Sequence, residues 1–175
     1  MRNTVVLLLL GLVLAFIAWQ ARTGIFRRAN PGEPANKYVR EMSEAPQLSS
    51  EDAALLRQRF PTAHVTPSGL RYVARAPGNG PPPALGAEVT AHYHGTLLAN
   101  GQKFDSSYDR GQPFTFRVGL GQVIKGWDEA FATMKKGEKR TLIIPYWLAY
   151  GAAGRPPTIP PRATLVFEVE LVDFR

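Results

Sequence analysis

The chain has 175 residues, enough for one domain with a hydrophobic core and a short additional segment. It contains no cysteine, which excludes disulfides, thiolate metal ligands and cysteine nucleophiles. The formal net charge is +7, but the basic residues are scattered and not clustered with aromatic residues. This pattern disfavours a nucleic-acid-binding protein, and the charge favours solubility and a weak attraction to anionic lipid headgroups.

The N-terminus contains an unbroken apolar run over residues 5–19, with Arg2 before it and Arg22 after it. Its length lies between that of a signal-peptide core and that of a full membrane span. Trp19 and Gln20 disturb the small-residue spacing that a cleavage site requires. Residues 1–28 are therefore predicted to contain an apolar helix that serves as a signal peptide or a membrane anchor. We favour the uncleaved anchor over a cleaved signal and over a buried hairpin helix of the globular domain.

Two features of this segment indicate opposite orientations in the membrane. Basic residues at positions 22, 27 and 28 follow the apolar run, so the positive-inside rule would place the body of the protein on the cytoplasmic face. A very short segment before an apolar run is, however, typical of an export signal. We expect the body to face the periplasm, with the cytoplasmic face of the membrane as the alternative.

Residues 29–65 are predicted to form a linker that contains one short helix. The part up to Ser49 is rich in Pro, Gly, Asn, Glu and Ser and has few large apolar residues, a composition typical of a tether. Acidic residues directly after Ser49 and Ser50 resemble the first turn of a capped helix. A short helix is expected over residues 53–60, ending at Pro61.

The globular part is predicted to span residues 66–175 and to belong to the α+β class. Alternating apolar residues predict strands over residues 69–76, 88–98, 113–118, 138–145 and 164–174, with another strand starting at Lys103 after the turn at Asn100 and Gly101. A helix is indicated by apolar residues at helical spacing, Ile124, Trp127, Phe131 and Met134. We therefore expect a curved antiparallel sheet with this short helix packed on one face.

Large apolar side chains lie close in sequence to one acid, Asp105. Phe104 precedes it, and Phe114, Ile124 and Trp127 follow. This pattern predicts a small apolar pocket, which the segment from Tyr150 to Pro161 and the last strand could close from the other side. Each of these aromatic residues, taken alone, is more typical of an ordinary core, so the prediction rests on their joint spacing.

Five motifs in this order resemble those of the FKBP-type peptidyl-prolyl cis-trans isomerases. They are the strand at 89–97 with Tyr93, FDSS at 104–107, VIKGW at 123–127, AYG at 149–151 and IPPRATLVFEVEL at 159–171. The resemblance covers residues 66–175, and the lead-in at 66–72 is similar to that of bacterial members with N-terminal extensions. The loop at 152–158 departs from the family pattern, which bears on substrate preference and inhibitor affinity.

The resemblance implies an FKBP-like twisted antiparallel sheet around one short helix, and an activity that rotates X-Pro peptide bonds in folding proteins without cofactor or metal. Proline would bind over Trp127 in a pocket walled by Tyr93, Phe104, Phe114, Val123, Ile124, Ile159 and Phe167. Asp105 would lie at the rim, while the Ile124 N–H and the Tyr150 hydroxyl would hold substrate carbonyl groups. The implied partners are proline-containing polypeptides and macrolide inhibitors, and the catalytic set is Asp105, Ile124, Tyr150 and Phe167.

Two other interpretations stay open at this point. A noncatalytic chaperone or scaffold could use the same cleft to hold partner segments. His92 and His94 form an H-x-H pair that suggests a metal site, but on a strand both would point away from Tyr93 and no third ligand is near in sequence. Metal binding is therefore disfavoured.

Overall fold

Seven antiparallel strands form one sheet in the computed structural model, which describes residues 46–175. The strands are β1 (His64–Val65), β2 (Arg71–Ala76), β3 (Glu88–Leu97), β4 (Lys103–Ser106), β5 (Phe114–Arg117), β6 (Lys139–Ile144) and β7 (Leu165–Phe174). Their order across the sheet is β1-β2-β6-β7-β3-β4, and β5 also pairs with β3. The predicted strands are confirmed within one or two residues at each end, and β1 is additional.

The predicted apolar segment within residues 1–28 and the linker up to residue 45 lie outside the described residues. Within the described part, no helix combines the length and the apolar composition that crossing a membrane requires. The membrane anchor and the apolar N-terminal helix therefore stay predictions.

Strands β3 and β7 lie side by side and contribute many of the buried core residues. They pair along nearly their whole length, with Tyr93 opposite Val169 and Gly95 opposite Phe167. Because side chains alternate across a strand, Tyr93 and Phe167 lie on the same face, which we call the core face. The buried face of β7 is the predicted one, formed by Leu165, Phe167, Val169 and Leu171.

Helix α2 (Lys125–Phe131) packs on the core face. It buries Trp127 and Phe131 against the sheet. Gly126 permits the close approach of helix and sheet, because a Cβ at this position would lie only 2.5 Å from a methyl group of Ile144. The Trp127 ring is thereby fixed at the base of the core face.

The helix ends three residues before Met134, whereas the apolar spacing placed Met134 within it. The carbonyl of Ala130 accepts hydrogen bonds from both the Thr133 hydroxyl at 2.9 Å and the Thr133 N–H at 3.1 Å. These bonds tighten the last turn and end the α-helical pattern, in which each N–H bonds to the carbonyl four residues earlier. Met134 is nevertheless fully buried, so the spacing predicted its burial correctly and its helical conformation wrongly.

Helix α1 (Ser50–Arg59) packs on the opposite face of the sheet. Ser49 caps it by accepting the Asp52 N–H at 3.0 Å, and Thr164 donates to the Asp52 carboxylate at 2.6 Å. Its one buried side chain, Leu56, contacts a small apolar cluster of Leu98, Ile143 and Val166. The predicted short helix is present, and the compact unit extends over residues 46–175 although the boundary predicted at residue 66 leaves α1 in the linker.

Candidate active site

A cavity of about 670 Å³ opens between α2 and the core face. Nine of the ten predicted site residues line it: Tyr93, Phe104, Asp105, Phe114, Val123, Ile124, Trp127, Tyr150 and Phe167. The tenth, Ile159, does not line the cavity and is 3 % exposed within the hydrophobic core. Ligand pockets of proteins usually measure about 300–1,000 Å³, so the cavity is large enough for a proline and its neighbours.

The base of the cavity is the indole of Trp127, which is 4 % exposed. Its ring centroid lies 5.0 Å from that of Tyr93 and 5.3 Å from that of Phe167, with both partner rings steeply inclined to it. Phe114 approaches at 6.2 Å, also at a steep angle. Edge-to-face packing of this kind is favourable for aromatic rings and holds each of them in one orientation.

Gly95 on β3 makes room for two of the aromatic walls. A Cβ at this position would lie 2.7 Å from the Phe104 ring and 2.8 Å from the Phe167 ring. These two rings meet edge to face, with centroids 5.3 Å apart. A larger residue at position 95 would therefore displace two cavity walls at once.

Asp105, Tyr93 and Arg110 form a hydrogen-bonded triangle at the cavity. The Tyr93 hydroxyl donates to one oxygen of Asp105 at 2.5 Å, and the Arg110 guanidinium donates to the other at 2.5 Å. Arg110 also donates to the Tyr93 hydroxyl oxygen at 2.6 Å. All three side chains are thus tied together, and the Asp105 carboxylate is charge-compensated.

The triangle shifts the ionisation of two of its members. Burial alone would raise the pKa of Asp105, but the hydrogen bonds from Tyr93 and Arg110 outweigh it, so the pKa of the carboxyl lies below its ordinary value. Burial, together with the hydrogen bond to Asp105, raises the pKa of the Tyr93 phenol. At neutral pH, Asp105 is a fixed anion and Tyr93 a fixed donor, so neither is suited to exchange protons with a substrate.

The two serines after Asp105 hold the backbone of Tyr93. The Ser107 hydroxyl accepts the Tyr93 N–H at 2.9 Å, and Ser106 and Ser107 both donate to the Tyr93 carbonyl at 3.2 Å. His92 Nδ1 lies 2.9 Å from the same Ser107 hydroxyl. The FDSS motif therefore positions the Tyr93 ring that walls the cavity.

The histidine pair takes no part in the cavity wall. His92 stacks on Tyr108 with ring centroids 4.7 Å apart. His94 lies opposite Ser106 and Glu168 in the sheet. Among residues 46–175, no group of three His, Cys, Asp or Glu side chains is arranged to hold a metal ion.

The turn before α2 presents a free backbone donor to the cavity. Asp128 fixes this turn by accepting the N–H groups of Gly119 and Gly121, both at 2.8 Å. The Ile124 carbonyl accepts the first N–H groups of the helix, while no group of the described chain accepts the Ile124 N–H. No hydrogen bond within residues 46–175 occupies the Tyr150 hydroxyl either.

A third donor at the site is the indole N–H of Trp127. It is buried and has no hydrogen-bond acceptor within the described part of the chain. Leaving a buried donor unpaired usually costs about 1–3 kcal/mol, and groups of this kind are uncommon outside functional sites. The cavity floor is therefore incomplete in its hydrogen bonding.

Several cavity residues were not predicted from the sequence. Lys125 and Arg155 line the cavity, and Arg110 supports it through Asp105. Arg110 lies five positions after Asp105 across a tight turn, in which Gly111 N–H bonds to the Tyr108 carbonyl at 3.1 Å. The sequence contains a turn signal at this point, but no local pattern indicates that the turn directs the guanidinium back to Asp105.

The ionisation of Asp105 gives a pH-dependent prediction. Since folding lowers its pKa, the ionised carboxylate stabilises the fold above the ordinary value of 3.8, and this contribution is lost as the pH falls through the lower pKa of the folded state. We expect the Asp105 carboxyl carbon to titrate below pH 3.8 in an NMR titration, and Arg110→Gln to raise the midpoint.

The matched control is Lys103→Gln, which removes the partner of the neighbouring Asp109 and should leave the Asp105 midpoint in place. A midpoint at or above 3.8 in the unmodified protein would show that the triangle does not hold the ionised carboxylate.

Comparison with known proteins agrees with this geometry. The sequence pattern of the family described as FKBP-type peptidyl-prolyl cis-trans isomerase matches residues 80–172. FK506-binding protein 1 of Dictyostelium discoideum is 57% identical over 107 residues, which cover 61% of this chain and 99% of that protein. Peptidyl-prolyl cis-trans isomerase FPR2 of Saccharomyces cerevisiae is 58% identical over 90 residues, which cover 51% of this chain and 67% of that protein.

A solved structure shows the same similarity. The crystal structure of AtFKBP13 matches with a TM-score of 0.62 at 44% sequence identity, over 65% of this chain and 98% of that chain. The pattern match covers more than half of the sequence and coincides with the strands and the helix that build the aromatic cavity. The chain belongs to the FKBP-type peptidyl-prolyl cis-trans isomerase family and is an enzyme of that class.

Proposed function

We propose that this isomerase binds the proline ring of an X-Pro segment in the aromatic cavity, above the Trp127 indole, and that the bond rotates there. The observation that carries the proposal is the convergence of nine predicted residues, from four strands, one helix and two loops, on one cavity with an indole at its base. Exposed or unfolded segments of folding proteins are the natural substrates of such a site, because a buried proline could not enter it.

The physical task is to lower the barrier to rotation about a partly double bond. Rotation breaks amide resonance and has a barrier of about 18–20 kcal/mol. The planar amide is strongly dipolar and well hydrated, whereas the twisted transition state has lost much of this charge separation. An apolar cavity therefore destabilises the planar form more than the twisted form, and this difference is what accelerates the reaction.

The polar groups of the cavity orient the substrate within it. The Ile124 N–H and the Tyr150 hydroxyl would hold substrate carbonyl oxygens; both residues line the cavity, and neither group bonds within the described chain. Asp105, as a fixed anion tied to Tyr93, contributes an oriented charge and keeps the Tyr93 wall in place.

The same cavity is proposed to accept macrolides of the FK506 type. FK506 binding is named for several relatives, including FK506-binding protein 1 of Dictyostelium discoideum. A large apolar ligand suits a cavity whose floor and walls are aromatic. The loop that contains Arg155 differs from the family pattern and forms part of this cavity, so affinity for such ligands is expected to differ from that of relatives.

Removing the Asp105 carboxylate is expected to impair catalysis while leaving the fold intact. Asp105→Ala should lower kcat/KM about tenfold, because a hydrogen bond to a charged group contributes about 1.5–3 kcal/mol and a tenfold rate loss corresponds to about 1.4 kcal/mol. Tyr150→Phe, which deletes one hydroxyl, should lower it about three- to tenfold. The measurement is the isomerisation rate of a proline peptide.

Asp109→Ala is the matched control, since Asp109 lies in the turn directly after β4, outside the cavity, and pairs with Lys103 at 2.6 Å. Equal losses in Asp105→Ala and Asp109→Ala would contradict the role given to Asp105. A purified wild-type protein that binds proline peptides without accelerating their isomerisation would instead be the noncatalytic chaperone or scaffold.

The protein is further proposed to be a bacterial, membrane-anchored or exported isomerase that faces the periplasm. This part of the proposal rests on the sequence alone: the apolar run at residues 5–19, the very short segment before it and the tether-like composition up to Ser49. Its clients would then be proteins that fold at or beyond the membrane. The cytoplasmic face of the membrane is the alternative, and no nucleic-acid partner is proposed.

Protease protection in cells tests this location. A C-terminally tagged protein should resist external protease in intact cells and be digested in spheroplasts, with both samples keeping the tag in the membrane fraction. Protection in spheroplasts that ends only on lysis would place the body in the cytoplasm. A cytoplasmic protein of known location serves as the control for spheroplast integrity.

A further inference from the structure

Two cationic side chains line the cavity without a carboxylate partner. Lys125 is the first residue of α2, and Arg155 lies in the loop between Tyr150 and Ile159. The backbone of Arg155 is fixed by a reciprocal pair of hydrogen bonds with Ile159, at 2.8 and 2.9 Å. Neither side chain forms an ion pair within residues 46–175, so both charges are available to a bound molecule.

The acidic residues of the cavity lining and of α2 have other partners, and one of them, Glu129, accepts the Ser68 hydroxyl at 2.6 Å. Asp105 is the one acidic residue among those that line the cavity, and Arg110 already pairs with it at 2.5 Å. Asp128 lies one helical turn after Lys125, but its two oxygens accept the N–H groups of Gly119 and Gly121. The cavity therefore has an apolar aromatic floor and a rim with net positive charge.

We propose that Lys125 and Arg155 give this isomerase a preference for X-Pro segments with an acidic residue next to the proline. The inference rests on the proposed binding of proline over Trp127, because that binding brings the neighbouring side chains to the rim. A carboxylate there would meet two uncompensated cations, while a lysine would be repelled.

An acidic peptide segment fits the site better than other anions do. The cations border an aromatic floor, so the ligand needs both an apolar ring and a nearby negative charge in one molecule. The basic residues of the chain as a whole are scattered, and they form no block of the kind that tracks a nucleic-acid backbone. An Asp-Pro, Glu-Pro, Pro-Asp or Pro-Glu segment supplies both features.

The expected size of the preference follows from the exposure of the rim. Ion pairs at solvent-exposed positions are weak, so one carboxylate should raise kcat/KM about two- to fivefold over its amide. Salt should remove the preference, since the Debye length falls from about 10 Å at 0.1 M ionic strength to about 3 Å at 1 M.

The test uses the full chain and two series of short peptides, measured by NMR exchange spectroscopy so that no coupling protease distorts the result. In one series the residue before proline is Glu, Gln or Lys, and in the other the same three follow the proline. We expect the order Glu, Gln, Lys in kcat/KM in at least one series at 0.05 M NaCl, and equal values at 1 M NaCl.

Four variants and one control assign the effect to its residues. We call the kcat/KM of the Glu peptide divided by that of the Gln peptide the Glu-to-Gln ratio. Lys125→Gln and Arg155→Gln should each reduce this ratio, and the double variant should bring it to one. Arg155→Lys, which keeps the positive charge, should retain most of the preference. Arg57→Gln, a charge change on α1 at the opposite face of the sheet, should leave the ratio unchanged.

The outcomes separate this inference from the proposed function. Catalysis of the Gln peptides with a Glu-to-Gln ratio of one in both series would overturn the acidic preference and leave the proline site standing. A ratio that persists in the double variant would also overturn it. Absence of catalysis on every peptide would overturn the proposed function itself.

Discussion

The packing of the Trp127 indole against the rings of Tyr93 and Phe167 is the interaction on which the site depends. Helix α2 supplies the indole, and the central strands β3 and β7 supply the two rings. Gly126 lets the helix approach the sheet, and Gly95 leaves space for the ring of Phe167. The rings are buried in the core on one side and face the cavity on the other, so the same contacts stabilise the fold and form the binding surface.

The polar part of the site is built so that its charges stay fixed. Tyr93 is both an aromatic wall and a donor to Asp105, and Arg110 holds the two together. The guanidinium of Arg110 also lies 5.5 Å from the Tyr93 ring centroid, a distance at which cation and ring attract each other. An isomerase that only rotates a bond needs no proton transfer. A site with an acid held in its ionised form, two unpaired donors at Ile124 and Tyr150 and an apolar floor is consistent with that task.

Much of the fold and of the cavity could be predicted from the sequence, because alternation and helical spacing report burial directly. The burial of Met134 was predicted on this basis, but its conformation depends on a competing hydroxyl at Thr133, which no periodicity shows. Ile159 carries a motif position yet is buried in the hydrophobic core and is not among the residues that line the cavity. The sequence did not predict three basic residues at the cavity, Arg110, Lys125 and Arg155. Their positions depend on the three-dimensional course of the backbone, which no local sequence pattern reports. The docking of α1, in which Leu56 is the one buried side chain, was likewise not indicated by the sequence pattern.

The central claim is that the aromatic cavity receives the proline ring. Its most direct test is an NMR study of the complex with a short peptide whose proline is labelled with carbon-13, using intermolecular nuclear Overhauser effects. The account predicts contacts between the proline ring protons and the indole protons of Trp127, together with contacts to Tyr93 and Phe167. Contacts confined to residues outside the cavity, with none to Trp127, would contradict it.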